Sequence, residues 1–269
     1  KKLNRTQKVI YDGRGAISAE WHEYQVINNQ KLLNSIFELE KDTVLHSDYR
    51  IAVSRQLILY WKNEFKYSSL NHIVIPCTLN RQFEEVKISA DDISNKRRLM
   101  GLNSKDIVFV YSGSVAGWQS FDTLEKFIKP ILDTNQFCKL VFFSELNNSI
   151  SNLKKTYPQQ VICKHLKSNE VPDLLVVGDY GILIREETIT NKVASPVKFA
   201  EYLACGLKVI ISDNLGDYSE FVLKNECGHS SSHFSLNSDN NKGYIQKVAI
   251  GNFTKINHID SYKRILINE

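Results

Sequence analysis

Eight short runs rich in β-branched and aromatic residues (8–12, 50–54, 72–76, 106–113, 139–144, 160–166, 180–184 and 208–212) alternate with longer stretches of helical periodicity. This alternation constrains the fold more than any other feature. Consecutive parallel strands need crossover connections, and helices supply them. The runs are nearly continuous in apolar residues, as expected of strands covered on both faces. The sequence therefore predicts an α/β chain of doubly wound parallel sheets. Helices are expected around 25–44, 55–66, 91–100, 121–133, 148–156, 169–176, 196–205, 218–225 and 258–267. In 121–133 the residues Leu124, Phe127, Ile128, Ile131 and Leu132 form one apolar stripe, which Pro130 is expected to kink or cut short. The polar stretch 230–243 reads as a loop.

With 269 residues, 42% of them hydrophobic, two domains can each bury a core. A boundary is expected near 75–85. Residues 106–250 then supply about five strands, enough for one doubly wound domain. Only three strand candidates precede residue 77, so a longer native chain is expected, and this segment alone should bind a nucleotide but transfer little. The net charge of +4 is too weak to argue for nucleic acid. No run approaches the ~18 apolar residues of a membrane span. Five scattered cysteines without a CxxC pair suit a reducing compartment, hence the cytoplasm.

Four stretches can carry chemistry. The segment Ser195-Pro196-Val197-Lys198 follows the 180–184 strand, so its helix should start at the carboxyl edge of a parallel sheet, where open α/β folds bind ligands. Ser195 is expected as N-cap and Pro196 as first helical residue. The helix tip attracts anions, and Lys198 adds a full charge there. Glu201 lies three residues on, where its oxygens can accept from a vicinal diol. A capped surface helix with a Lys–Glu pair explains the same spacing equally well. Ser112, Gly113 and Ser114 end the 106–113 strand with small residues that let a phosphate approach. Asp12 and Arg14 follow the first strand and can hold a hydroxyl-rich substrate or simply pair with each other. Gly216 and Glu220 follow the last strand, where an ordinary helix start is the plain alternative. No DxD pair is present to hold a divalent ion on a diphosphate.

Taken together, YDGRG (11–15), IAVSRQL (51–57), VIPCTLN (74–80), VYSGS (110–114), SPVKFAEYLACGLKVIIS (195–212) and NLGDYSEFVLKNECG (214–228) resemble the retaining glycosyltransferases of the GT-B fold, family 4 in particular. The resemblance implies two Rossmann-like domains: 1–80 as the last part of an acceptor domain, 81–255 as the donor domain, and 256–269 as a helix returning to the first. It implies transfer of a hexose, with retention and without a metal or other cofactor, from a UDP-sugar or other nucleoside-diphosphate sugar. The acceptor would be a glycan or lipid-linked hydroxyl in bacterial cell-surface polysaccharide synthesis, with peripheral membrane association. Lys198 would contact the donor diphosphate and Glu201 the ribose. Lys198, Asp12 and Arg14 are the expected catalytic residues. Ser112, Gly113, Ser114, His165, Leu166, Ser195, Pro196 and Val197 are counted with Lys198 and Glu201 as donor-binding. Two positions depart from the family pattern: Val193 stands where the first glutamate of its paired-glutamate motif falls, and Lys208 where proline is usual. A sugar-nucleotide 2-epimerase and a non-catalytic nucleotide- or sugar-binding partner subunit are the alternatives.

Overall fold

The computed structural model describes residues 7–113, 121–236 and 241–267. The chain runs β1 (Ile10–Gly13), α1 (Ile17–Glu23), α2 (Gln30–His46), β2 (Tyr49–Ala52), α3 (Arg55–Phe65) and β3 (His72–Val74). These strands form a parallel sheet in the order β1-β2-β3. Then follow α4 (Arg81–Glu84), α5 (Ala90–Leu99), β4 (Ile107–Ser112), α6 (Phe121–Thr134), β5 (Cys138–Phe143), α7 (Asn148–Thr156), β6 (Val161–Cys163), α8 (Val171–Leu175) and β7 (Tyr180–Leu183). The chain continues through α9 (Ile189–Val193), α10 (Val197–Ala204), β8 (Lys208–Ile211), α11 (Gly216–Lys224), β9 (Gly228–Ser230), α12 (Lys242–Phe253) and α13 (Ile259–Ile267). The second sheet is also all parallel, in the order β6-β5-β4-β7-β8-β9.

Alternation along β4 explains why this sheet is covered twice. Val108 and Val110 enter one buried cluster with Phe199, Leu203 and Val209, while Phe109 and Tyr111 enter another with Leu124, Ile128 and Leu140. β4 and β7 are neighbours from which the strand order runs in opposite directions, so the switch point of the sheet lies between them. In the N-terminal half Trp61, Leu57 and Phe65 build a smaller core, and Ile265 of α13 packs with Ile51 and Ile75 of the first sheet's region.

Several expectations need correction. Pro130 neither ends nor shortens α6, which runs on to Thr134 because Leu124, Ile128 and Leu132 anchor it in the core. α2 starts at Gln30, where Asn29 accepts from the N–H of Leu32 and caps it. Of the stretch 230–243 expected as a loop, residues 237–240 lie outside the described residues, and its end belongs to an unforeseen helix. Asn241 caps α12 through the N–H of Tyr244, and Ile245, Ala249 and Phe253 bury one face of it. β9 adds a sixth strand to the five expected; Gly228 permits it, since any Cβ there would overlap the backbone of Val209.

Candidate functional site

Lys198 and Glu201 stand one turn apart on α10, both only partly accessible. The Lys198 Nζ lies 4.4 Å from the ring centre of Tyr111 on β4. It also faces Gly113, whose φ of +118° lies in the region that favours glycine; a Cβ there would come 3.2 Å from Nζ. Burial pushes the ammonium down to about 7, Arg185 adds to the fall, and Glu201 opposes it. Burial likewise pushes the Glu201 carboxyl up, with Lys198 opposing. The strand end beside them is held by the neutral Tyr202, whose hydroxyl accepts from the N–H of Ser112 at 2.9 Å. Lys198, Gly113 and Arg185 thus gather where β4 and β7 end, at the switch point.

Ser195 does not cap α10. Pro196 occupies the N-cap position, and no side chain caps the first turn. The Ser195 hydroxyl is taken by the N–H of Cys77, 2.7 Å away, and by the hydroxyl of Tyr218. It therefore joins the helix entry to the chain after β3 rather than serving the helix tip. Pro196 is buried and Val197, the first helical residue, is exposed.

The remaining candidates scatter. Asp12 and Arg14 pair with each other at 2.7 Å on the surface. The further charges acting on Arg14 are Cys77 and Tyr262, not Lys198 or Glu201. His165 is exposed beyond β6, the edge strand, and Leu166 packs against the core. Ser114 lies outside the described residues. Gly216 takes a φ of +58° where a Cβ would overlap the carbonyl of Lys192, and Glu220 is exposed on α11.

Sequence reasoning missed two features. Arg185, just after β7, has its guanidinium enclosed with Tyr24, Tyr111 and Tyr202 near it. The second is the junction made by α9. Glu23 of α1 accepts from the N–H groups of Ile189 and Thr190 at 2.8 and 2.9 Å, and Ser54 donates to the carbonyl of Val193 at 2.6 Å. Asp217 accepts from the N–H of Arg55 at 2.6 Å. A cavity of about 410 Å³ lies along the same seam, lined from both halves by Arg55, Pro76, Asp217, Glu220 and Phe253 among others.

No family model matches the chain, and no curated protein matches it in sequence. Solved structures do match. Anabaena HepE in complex with UDP superposes with a TM-score of 0.69 at 13% identity, over 98% of this chain and 73% of that one. HepE has also been solved with UDP-glucose. A glycosyltransferase from Rickettsia africae gives 0.67 at 13% identity, over 97% and 71%. WaaG, a glycosyltransferase involved in lipopolysaccharide biosynthesis, gives 0.62 at 11% identity, over 96% and 67%. The fold is that of the GT-B glycosyltransferases. In this GT-B frame the Lys198–Glu201 turn lies at the carboxyl end of the larger sheet.

Proposed function

We propose that the protein is a glycosyltransferase that moves a hexose from a nucleoside-diphosphate sugar to a hydroxyl of a glycan or lipid-linked acceptor. Retention of configuration, independence from metal and a role in cell-surface polysaccharide assembly belong to the same proposal. In it residues 1–80 serve the acceptor, 81–255 the donor, and 256–269 return to the first part. The observation that carries it is the enclosed Lys198–Glu201 turn at the β4/β7 switch point. The UDP and UDP-glucose complexes of HepE support the choice of donor class.

The chemistry follows from charge. Breaking the glycosidic bond to the donor develops negative charge on the leaving diphosphate, and a cation already in place at the α10 tip offsets it without reorganisation. Glu201, a carboxylate one turn along, can accept from both hydroxyls of the ribose. Among the described residues no helix is long and apolar enough to cross a membrane; a lipid-linked acceptor would be met at the membrane surface.

One observation favours a second reading, a binding subunit without turnover. Val193 is buried in the N-terminal core cluster, so the place of the family motif's first glutamate is filled by packing. Thermal-shift screening of UDP-, GDP- and ADP-sugars, followed by an assay of nucleoside diphosphate release, separates the cases. Acceptor-dependent release supports transfer. Isomerised sugar nucleotide without release indicates an epimerase, and binding without either reaction indicates the subunit.

A further inference from the structure

Arg185 opens the loop after β7, and its backbone is fixed. Its N–H donates to the Ser212 hydroxyl, which in turn donates to its carbonyl, both at 2.8 Å. Its side chain is turned among tyrosines. Nη1 donates to Asn191 Oδ1 at 3.4 Å, and Asn191 Nδ2 donates to the Tyr24 hydroxyl at 3.0 Å. The Nε–H is buried and meets no acceptor among the described residues. A desolvated guanidinium N–H without an acceptor is costly, and buried polar groups in native proteins are nearly always paired.

A second cost stands beside the first. Lys198 and Arg185 are like charges close enough to disfavour one another's protonated forms, and burial disfavours both further. Glu201 is the acidic group that opposes this at Lys198. Two basic side chains enclosed at one strand end, with Glu201 opposing the fall at Lys198, make an arrangement complementary to an anion.

We infer that Arg185 is a ligand-binding residue: its Nε–H and the Lys198 ammonium take oxygens of one anionic group at the β4/β7 switch point, the diphosphate of the nucleotide sugar. This rests on the donor-binding reading above. Arginine suits the task because its planar fork presents donors in fixed directions, which neither lysine nor glutamine reproduces. Asn191 and Tyr24 hold the outer end of the fork, so Nε is presented in one place.

The test compares wild type with Arg185→Gln and Arg185→Lys by titration calorimetry with three pairs of probes: UDP and uridine, GDP and guanosine, ADP and adenosine. For the base that wild type accepts, Arg185→Gln should weaken the diphosphate about ten- to a hundredfold and leave the nucleoside within about twofold. Its melting temperature without ligand should hold or rise, because a buried Nε–H without an acceptor among the described residues has gone, while the shift produced by the diphosphate shrinks. Arg185→Lys should recover part of the diphosphate affinity. Unchanged diphosphate affinity in Arg185→Gln overturns the inference while leaving the donor reading intact. Equal loss for diphosphate and nucleoside, or weaker binding with a lowered ligand-free melting temperature, overturns it too, since either marks a structural role. If wild type binds none of the three diphosphates, the donor reading itself falls and takes this inference with it. Should the glutamine variant not fold, the lysine variant decides: diphosphate affinity equal to wild type overturns the role of Nε.

Discussion

Glu23 holds Thr190 twice, accepting from its backbone N–H at 2.9 Å and from its hydroxyl at 2.6 Å. Its other oxygen takes the N–H of Ile189 at 2.8 Å. A side chain of the N-terminal half thus satisfies the first turn of α9, whose own chain belongs with the larger sheet. Glu23→Ala removes all three bonds and leaves the first-turn donors of α9 to water. A loss of about 2 kcal/mol is expected, read from urea unfolding. Glu23→Gln keeps an acceptor and should lose roughly half as much. A loss for Glu23→Ala indistinguishable from zero would show that Glu23 adds nothing to what packing and the Thr188 cap already supply.

The strands were legible because both faces of each sheet are buried, which writes continuous apolar runs into the chain. The Lys198–Glu201 turn was legible because three residues on a helix make one face. What escaped was everything decided at long range. The Ser195-Pro196 start reads as a helix cap by local rules, yet the hydroxyl goes to Cys77, 118 residues away. Arg185 sits in the run Arg185-Glu186-Glu187, which reads as a solvated turn; its enclosure comes from Tyr24, Tyr111 and Tyr202, which only the fold assembles. α12 hid because its cap, Asn241, lies in a polar run, and because Val248 and Ile250 spread apolar residues beyond the face of Ile245, Ala249 and Phe253.

If Glu201 accepts from the ribose diol, its removal should weaken nucleoside and nucleoside diphosphate alike. Glu201→Ala is expected to cost on the order of 1–3 kcal/mol of affinity for both. Lys198→Ala should weaken the diphosphate and spare the nucleoside. Titration of each variant with the matched pair checks the division. Loss of diphosphate affinity alone in Glu201→Ala would show that this carboxylate acts on Lys198 rather than on the sugar.

Donor affinity should fall as pH rises. Burial holds the Lys198 ammonium at about 7, helped by Arg185 and opposed by Glu201, while burial pushes the hydroxyls of Tyr111 and Tyr202 up, so they stay neutral. The phosphates of a nucleotide sugar stay ionised throughout, and their anion favours the protonated lysine. Affinity should therefore be flat below about pH 7 and decline by up to roughly tenfold per unit above it. Calorimetry in buffers of different ionisation heat should show proton uptake at pH 8, approaching ~1 per ligand bound. The same group sets a stability slope of known sign. In the unfolded chain it titrates near 10.5, in the fold near 7, so between these values the unfolded state binds the extra proton. Its effect is to lower stability as pH falls from 10.5 to 7, with no further change below. Lys198→Met should flatten that slope. Affinity that rises with pH would contradict the assignment.

Gly181 links the core to this site. It lies in β7 between Val110 of β4 and Val209 of β8, so its backbone has no freedom to retreat. A Cβ at this position would overlap the ring of Tyr202. Gly181→Ala must therefore displace that ring, and with it the hydroxyl that accepts the Ser112 N–H beside Gly113 and Lys198. Overpacking and one stranded buried N–H together should cost about 2–4 kcal/mol. Thermal and urea unfolding would measure it, and the diphosphate should bind more weakly because the end of β4 has shifted. The cause can be isolated in a double-mutant cycle. Tyr202→Ala removes the Cγ and both Cδ atoms that a Cβ at 181 would meet, so adding Gly181→Ala to it should cost at least ~1 kcal/mol less than adding it to wild type. Strict additivity would place the strain in the strand itself and leave Tyr202 without a part in it.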